Sequence, residues 1–210
     1  MTRPIVYGAR YSVYVRIVLL TLAEKGVAHD LVEVDIFAEG GPPAEHLARH
    51  PFGKIPAFTH DGLNLYEAAA IARYVDEAFI GPSLQPTDVG RRAQMAQVIG
   101  LLDSYAYRCW VWDIYVERIS LPKRGGISDE AKIAAAVIRG DTCADALEAI
   151  LGDQSFLAGP DVSLADLHAA PMIAYLVRAP EGEALLGRHQ RLRRWWERVG
   201  KRPSVVEFCT

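Results

Sequence analysis

The spacing of hydrophobic positions changes several times along the first part of the chain. Ile5, Val6 and Tyr7 form a short apolar run that stops at Gly8, which predicts a strand. From Ser12 the period lengthens. Val15, Val18, Leu19 and Leu22 fall at i, i+3, i+4 and i+7, one face of a helix. Ser12 is suited to cap that helix and Gly26 to end it. Leu31, Val32 and Val34 predict a second strand, and Gly40-Gly41-Pro42-Pro43 a loop before a short helical piece from Ala44 to Arg49. The stretch from Pro51 to Pro56 is too proline-rich for a regular element. Ala57 to Thr59 and Leu63 to Leu65 flank the Asp61-Gly62 turn signal and predict a hairpin. After Glu67, residues Ala70, Ile71, Tyr74 and Val75 return to helical spacing. The predicted order is β-α-β-α-β-β-α.

Gly81-Pro82-Ser83-Leu84-Gln85-Pro86 reads as a linker, and every strong signal after it is helical. One long helix is predicted from Asp88 to Ile119, weakened at Gly100, with a break from Pro122 to Gly126. Ile133, Val137, Gly140, Ala144, Leu147 and Leu151 step by four and three, which predicts a second. Ser163-Leu-Ala-Asp166 is a capping box, with Val162 and Leu167 at the staple positions. The helix that follows carries Pro171, so a kink is expected. A last helix is predicted over 192–199, ending near Gly200. The expected organisation is an α/β domain over 1–80, a linker over 81–87 and an all-α domain over 88–210.

Composition adds mostly exclusions. Half of the 210 residues are hydrophobic and 23% are charged, a globular composition. The net charge of −3 gives no electrostatic reason to expect nucleic acid. No apolar run approaches the ~18–20 residues of a membrane span, and no secretory leader is read at the start. Cys109, Cys143 and Cys209 form neither a CxxC pair nor a metal spacing, so no metal is expected and a reducing, cytoplasmic setting fits.

Four segments carry a resemblance. His50-Pro-Phe-Gly-Lys-Ile-Pro-Ala-Phe58, the Asp61-Gly62 turn and Leu65-Tyr-Glu-Ala-Ala-Ala-Ile-Ala-Arg-Tyr74 resemble the Asn-Pro-x-Gly-x-Val/Ile-Pro-x-Leu segment, hairpin and Glu-Ser-x-x-Ile helix start of the glutathione transferases. Ser12 to Gly26 is similar to the serine-type members, the plant phi class above all. Ser163 to Asp166 is similar to the family's capping box, and Trp195-Trp196 with Arg202-Pro203 to its C-terminal end. The resemblance implies a thioredoxin-like βαβαββα domain that binds glutathione, an all-α domain lining the co-substrate pocket, and a homodimer.

It also implies a chemistry: attack of the glutathione thiolate on a small hydrophobic electrophile. A free thiol has a pKa near ~8.5, so the protein must stabilise the anion. Ser12, at the head of the first helix, can donate a hydrogen bond to the sulfur. Tyr7, near the end of the first strand, is the rival that tyrosine-type members would use, and Tyr11 lies beside Ser12. Ile55-Pro56 matches the family's cis-proline position, where the Ile55 backbone pairs with the cysteinyl part of glutathione. Lys54 stands near the glycyl carboxylate. Glu67 can receive the γ-glutamyl ammonium, while Ala68 replaces the usual serine and leaves the helix-opening N–H groups to hold the γ-glutamyl carboxylate. Gly40 to Pro43 lacks the basic residues that plant members often carry there. Glutathione-dependent isomerisation, dehalogenation or ether cleavage, and a non-catalytic ligand-binding or interaction role, remain open alternatives. Tyr105, Tyr107, Trp110, Trp112 and Tyr115 share the long helix, where core packing and a co-substrate pocket compete for them. His168 reads as a core histidine, and Arg188, Arg191, Arg193 and Arg194 as a solvated face.

Overall fold

The computed structural model describes residues 2–210. It divides between Ser83 and Leu84 into two compact units. The first contains β1 (Ile5–Tyr7), α1 (Val13–Glu24), β2 (Asp30–Val32), α2 (Ala44–Arg49), β3 (Ala57–His60), β4 (Leu63–Tyr66) and α3 (Ala68–Ala78). The sheet order is β2-β1-β3-β4, with β1 parallel to β2 and antiparallel to β3, and β3 antiparallel to β4. This is a thioredoxin-like βαβαββα arrangement. The strand predicted through Val34 ends at Val32; Val34 is buried all the same, outside the ladder.

The predicted face of α1 is inside: Val15, Val18, Leu19 and Leu22 are fully buried, and so are Ile17 and Leu20 on its other side. A helix apolar nearly all round must be covered nearly all round; α3 packs on it. Lys25, at the C-terminus of α1, points into the unit. Its Nζ donates to Asp76 Oδ1 (3.1 Å), Asp76 O (2.9 Å) and Pro82 O (3.0 Å). Both side chains are almost completely buried. A charge buried there is tolerable only because each donor finds an oxygen, and the same bonds tie α1, α3 and the chain at Pro82 together.

The second unit is helical. α4 (Val89–Leu101) is capped by Asp88, whose Oδ1 accepts the Arg91 N–H at 2.9 Å. It runs on without a break into α5 (Leu102–Ser120), which is wound wider than an α-helix, in the π form. No local sequence signal announces this change of winding. α6 (Glu130–Leu151), α7 (Leu164–Leu176), α8 (Pro180–Arg188), α9 (Gln190–Val199) and α10 (Pro203–Cys209) follow. The short α8 and α10 were not among the predicted elements; each opens on a proline at its first turn, where proline is tolerated.

The α5–α6 contact is close. Trp110 is fully buried and its indole N–H donates to Gly140 O at 3.3 Å. A Cβ at Gly140 would sit 3.0 Å from that nitrogen, so glycine leaves room for the indole to approach the helix. The Cys109 Sγ lies 3.4 Å from the carbonyl oxygens of Tyr105 and Ala106, and the neighbouring Cys143 thiol followed by burial pushes its pKa up. Both thiols are buried. Tyr105 is exposed, whereas Tyr115 stacks on Tyr175 with centroids 4.4 Å apart. His168 is buried and paired with Asp103 at 2.8 Å. Arg188, Arg191 and Arg193 pair with Asp141, Asp153 and Glu183.

Asp166 organises this unit. Helix α7 is buried along its whole length, so its start cannot borrow water for unpaired N–H groups. Asp166 Oδ2 accepts from Ser163 N and Oγ, both at 2.8 Å, completing the capping box. Its Oδ1 accepts the Leu157 N–H at 2.9 Å and the Trp195 indole N–H at 2.7 Å. Burial pushes its pKa up while these four donors oppose the rise. We expect Asp166→Asn to lower stability by about 3 kcal/mol or more, because an amide must turn its own donors toward protein donors. Denaturant unfolding followed by tryptophan fluorescence checks it; an unchanged midpoint would refute the role.

Candidate functional site

The register of the sheet decides which residues meet. Tyr7 pairs with Ala57, and Ala57 pairs with Tyr66. All three are the residues where a strand meets a chain reversal. The segments just beyond them, Gly8 to Ser12, Ile55-Pro56 and Glu67-Ala68, therefore gather at one end of the sheet.

The first segment is a turn into α1. Ser12 N donates to Ala9 O at 2.9 Å, and the extended backbone of Ser12 makes it the N-cap. Its Oγ accepts the Val15 N–H at 3.4 Å. That bond uses a lone pair and leaves the hydroxyl proton to be donated elsewhere. Gly8 keeps the turn close to the second segment: a Cβ there would lie 2.5 Å from Val15 Cγ2 and 3.2 Å from Ile55 Cβ.

In the second segment the Ile55–Pro56 peptide is cis. Strand pairing begins only at Ala57, so the peptide groups of Ile55 precede the ladder. Ile55 is buried and Lys54 exposed. The third segment turns β4 into α3. Glu67 holds φ 72° and ψ 112° at the N-cap without making a side-chain cap bond. A non-glycine residue in such a conformation costs on the order of 1–3 kcal/mol, and such costs gather at functional sites. The amides of Ala68, Ala69 and Ala70 that open α3 have no partner within the helix, and the helix dipole makes them a place for a carboxylate.

The two tyrosines are set differently from Ser12. Arg49 of α2 lies over the Tyr7 ring, 4.3 Å from its centroid. Tyr11 is 46% exposed beside Phe37, and burial of its hydroxyl followed by the charges of Asp35 and Glu33 raises its pKa.

Two histidines that the sequence reading passed over underlie this end of the sheet. His46 on α2 and His50 at its C-cap are both buried, with ring centroids 6.3 Å apart. His46 Nε2 lies 2.7 Å from Lys54 O. His50 stacks on Tyr66 at 4.8 Å. Their i, i+4 spacing immediately before Pro51-Phe52-Gly53 was the signal available. Among the described residues no cluster of metal-ligating side chains occurs.

A thioredoxin-like unit with a cis-proline and an open helix N-terminus at one sheet end, followed by a helical unit, defines a class, and comparison with known proteins gives the family. Residues 6–83 match "Glutathione S-transferase, N-terminal domain" and residues 130–198 match "Glutathione S-transferase, C-terminal domain". The chain is 33% identical over 212 aligned positions to the probable glutathione S-transferase GSTF1 of Oryza sativa subsp. japonica, covering 100% of this chain and 96% of that one. Glutathione transferase F7 of Populus trichocarpa superposes with a TM-score of 0.86 at 30% identity, over 98% of this chain and 97% of its own. A theta-class enzyme from Xanthomonas axonopodis pv. citri, solved with glutathione bound, superposes with a TM-score of 0.86 at 25% identity over 100% and 98%. The chain belongs to the glutathione S-transferase family.

His50 carries a pH dependence of its own. Burial lowers its pKa below the usual 6.5, more than the Glu67 charge raises it. The folded state therefore favours the neutral ring. Above 6.5 its contribution to stability is complete; as the pH falls below that value the unfolded chain takes up the proton first, and stability is lost until the folded pKa is passed. His50→Asn is expected to flatten this part of the profile. Unfolding midpoints of both proteins between pH ~7 and ~5 test it; parallel profiles would count against it.

Proposed function

We propose that this protein is a glutathione S-transferase that ionises the glutathione thiol for attack on a small hydrophobic electrophile. The observation that carries the reading is the meeting of Ser12, cis-bonded Ile55-Pro56 and the strained Glu67 at one end of one sheet. Three different demands of one tripeptide are answered there. The Ile55 peptide groups pair with the cysteinyl backbone as an added strand would. The N–H groups from Ala68 onward take the γ-glutamyl carboxylate, and Glu67 takes the ammonium beside it. Lys54 faces the glycyl carboxylate. The sulfur then falls to Ser12.

Ser12 donates its O–H to the thiolate while its Oγ keeps the Val15 N–H, and the dipole of α1 adds to the stabilisation. A hydrogen bond to a charged acceptor contributes roughly 1.5–3 kcal/mol, or about one to two pKa units. That is enough to bring a thiol of pKa near ~8.5 to neutrality. The bond that forms is sulfur to electrophilic carbon; the electrophile's leaving group or opened π bond receives the electron pair, and the thiol proton has already passed to solvent. No metal is needed for that step.

Ala68 contributes no hydroxyl and the Gly40 to Pro43 loop no cation, so binding rests more heavily on backbone groups. These two features favour, as a second reading, a non-catalytic protein that carries an apolar ligand or joins a complex. Calorimetric titration with glutathione, with the ultraviolet thiolate band followed in parallel, separates the readings. Binding with a thiolate band at neutral pH supports the transferase; binding without the band removes the thiol-ionising role; no binding refutes the transferase and favours the carrier or interaction role. Ser12→Ala is expected to return the thiol pKa by about one to two units and to cut turnover at neutral pH about 10- to 100-fold, with binding nearly intact. Unchanged turnover would remove Ser12 from the mechanism.

The protein is further read as a cytoplasmic homodimer. No helix among the described residues is long and apolar enough to cross a membrane. Phe52 is 71% exposed and Tyr66 38% exposed, and the two rings are in edge contact at 6.3 Å. Such a patch is what a second copy would cover. Light scattering should return twice the chain mass; the mass of one chain would overturn the dimer.

A further inference from the structure

Ile55 must keep its peptide groups outside the ladder and still hold them still, and the cis-proline on one side of it does only half of that. We infer that His46 is the positioning residue on the other side: its Nε2–H, donated to Lys54 O, fixes the strand that receives glutathione. The inference rests on the transferase reading for its ligand, and on geometry for everything else.

The segment from His50 to Pro56 has few anchors. Gly53 N donates to His50 O at 2.9 Å, which closes a turn. Gly53 itself has φ +61°, and a Cβ there would lie 3.1 Å from Pro42 Cγ and 3.3 Å from Leu47 Cδ2, so α2 and the preceding loop press directly on it. Beyond that turn, the 2.7 Å contact from His46 to Lys54 O is the next polar tie. It comes from a side chain only 1% exposed, on the third residue of α2. The carbonyl it holds belongs to the same peptide unit as the Ile55 N–H. Rotating that carbonyl away would rotate the N–H with it, because the peptide is planar.

The chemistry assigns the tautomer. A carbonyl can only accept, so the Nε2 atom must carry the proton. Nδ1 is then an acceptor, and it is buried without a hydrogen-bond partner. Neutral imidazole tolerates this; phenylalanine would keep the packing and lose the donor, whereas glutamine can place an amide N–H at the same carbonyl. A catalytic role is not implied, since His46 reaches the substrate only through the backbone it holds.

The decisive variants are His46→Phe and His46→Gln, read by steady-state kinetics with glutathione varied. His46→Phe is expected to raise KM for glutathione about five- to tenfold at unchanged kcat, the equivalent of one hydrogen bond. His46→Gln is expected to restore KM to within about twofold. A wild-type KM in the Phe variant, or a Gln variant as weak as the Phe variant, would overturn the inference. Nitrogen-15 spectra of the wild-type protein decide the matter independently of whether either variant folds. They should show a protonated Nε2 on His46, slow to exchange, whose signal moves as glutathione is added. A proton on Nδ1, or an Nε2–H that exchanges freely, would refute it. If the wild-type protein binds no glutathione, the transferase reading fails, and the tautomer and its exchange still test the contact itself.

Discussion

The pairing of three residues across three strands is the constraint on which the rest depends. Tyr7, Ala57 and Tyr66 lie side by side, and a shift of one residue in either pairing would turn each following segment to the other face. Val6 and Phe58, which the same register places together, are both inside. Core burial and site assembly are thus one condition. The apolar alternation that makes the sheet stable also brings a helix start, a cis-proline and a strained helix cap to a common edge.

Much of this was legible from residue patterns because the elements concerned are local. Ser12 before an apolar helical face, Asp61-Gly62 between two short runs, and Ser163 with Asp166 are short-range signals with a physical cause each. What escaped reading was non-local. Nothing in the sequence near Lys25 says that Asp76 and the carbonyl of Pro82 will surround its ammonium. Nothing near Leu102 says that the helix will widen. The surroundings of Tyr7 also needed three dimensions, since the guanidinium over its ring comes from Arg49, distant in sequence. The long-helix aromatics illustrate the limit well: Trp110 is core and Tyr105 exposed, a distinction that their shared aromatic character on one helix does not contain.

The two units solve the same problem of buried polarity in different ways. In the first, an ammonium gathers three oxygens; in the second, a carboxylate gathers four donors. Each joins segments far apart in sequence, and each is tolerable only when complete, since a partly satisfied buried charge costs more than none. Specific pairing of this kind holds the segments in one arrangement where apolar contact alone would tolerate several.

The Asp166 network also has a consequence for how the chain comes off the ribosome. The first unit closes its buried ion pair with the carbonyl of Pro82, so everything it needs has been synthesised early. The second cannot do likewise. Its central helix is buried throughout, and the indole that completes the carboxylate at its head belongs to Trp195, close to the end of the chain. Until that residue emerges, α7 has a cap without its fourth donor and apolar faces without their cover. Folding during synthesis is therefore sequential: the sheet domain can complete its buried ion pair once Pro82 has been made, whereas the helical domain closes only after Trp195 has followed, and a chain cut short before Trp195 leaves the latter open to proteolysis.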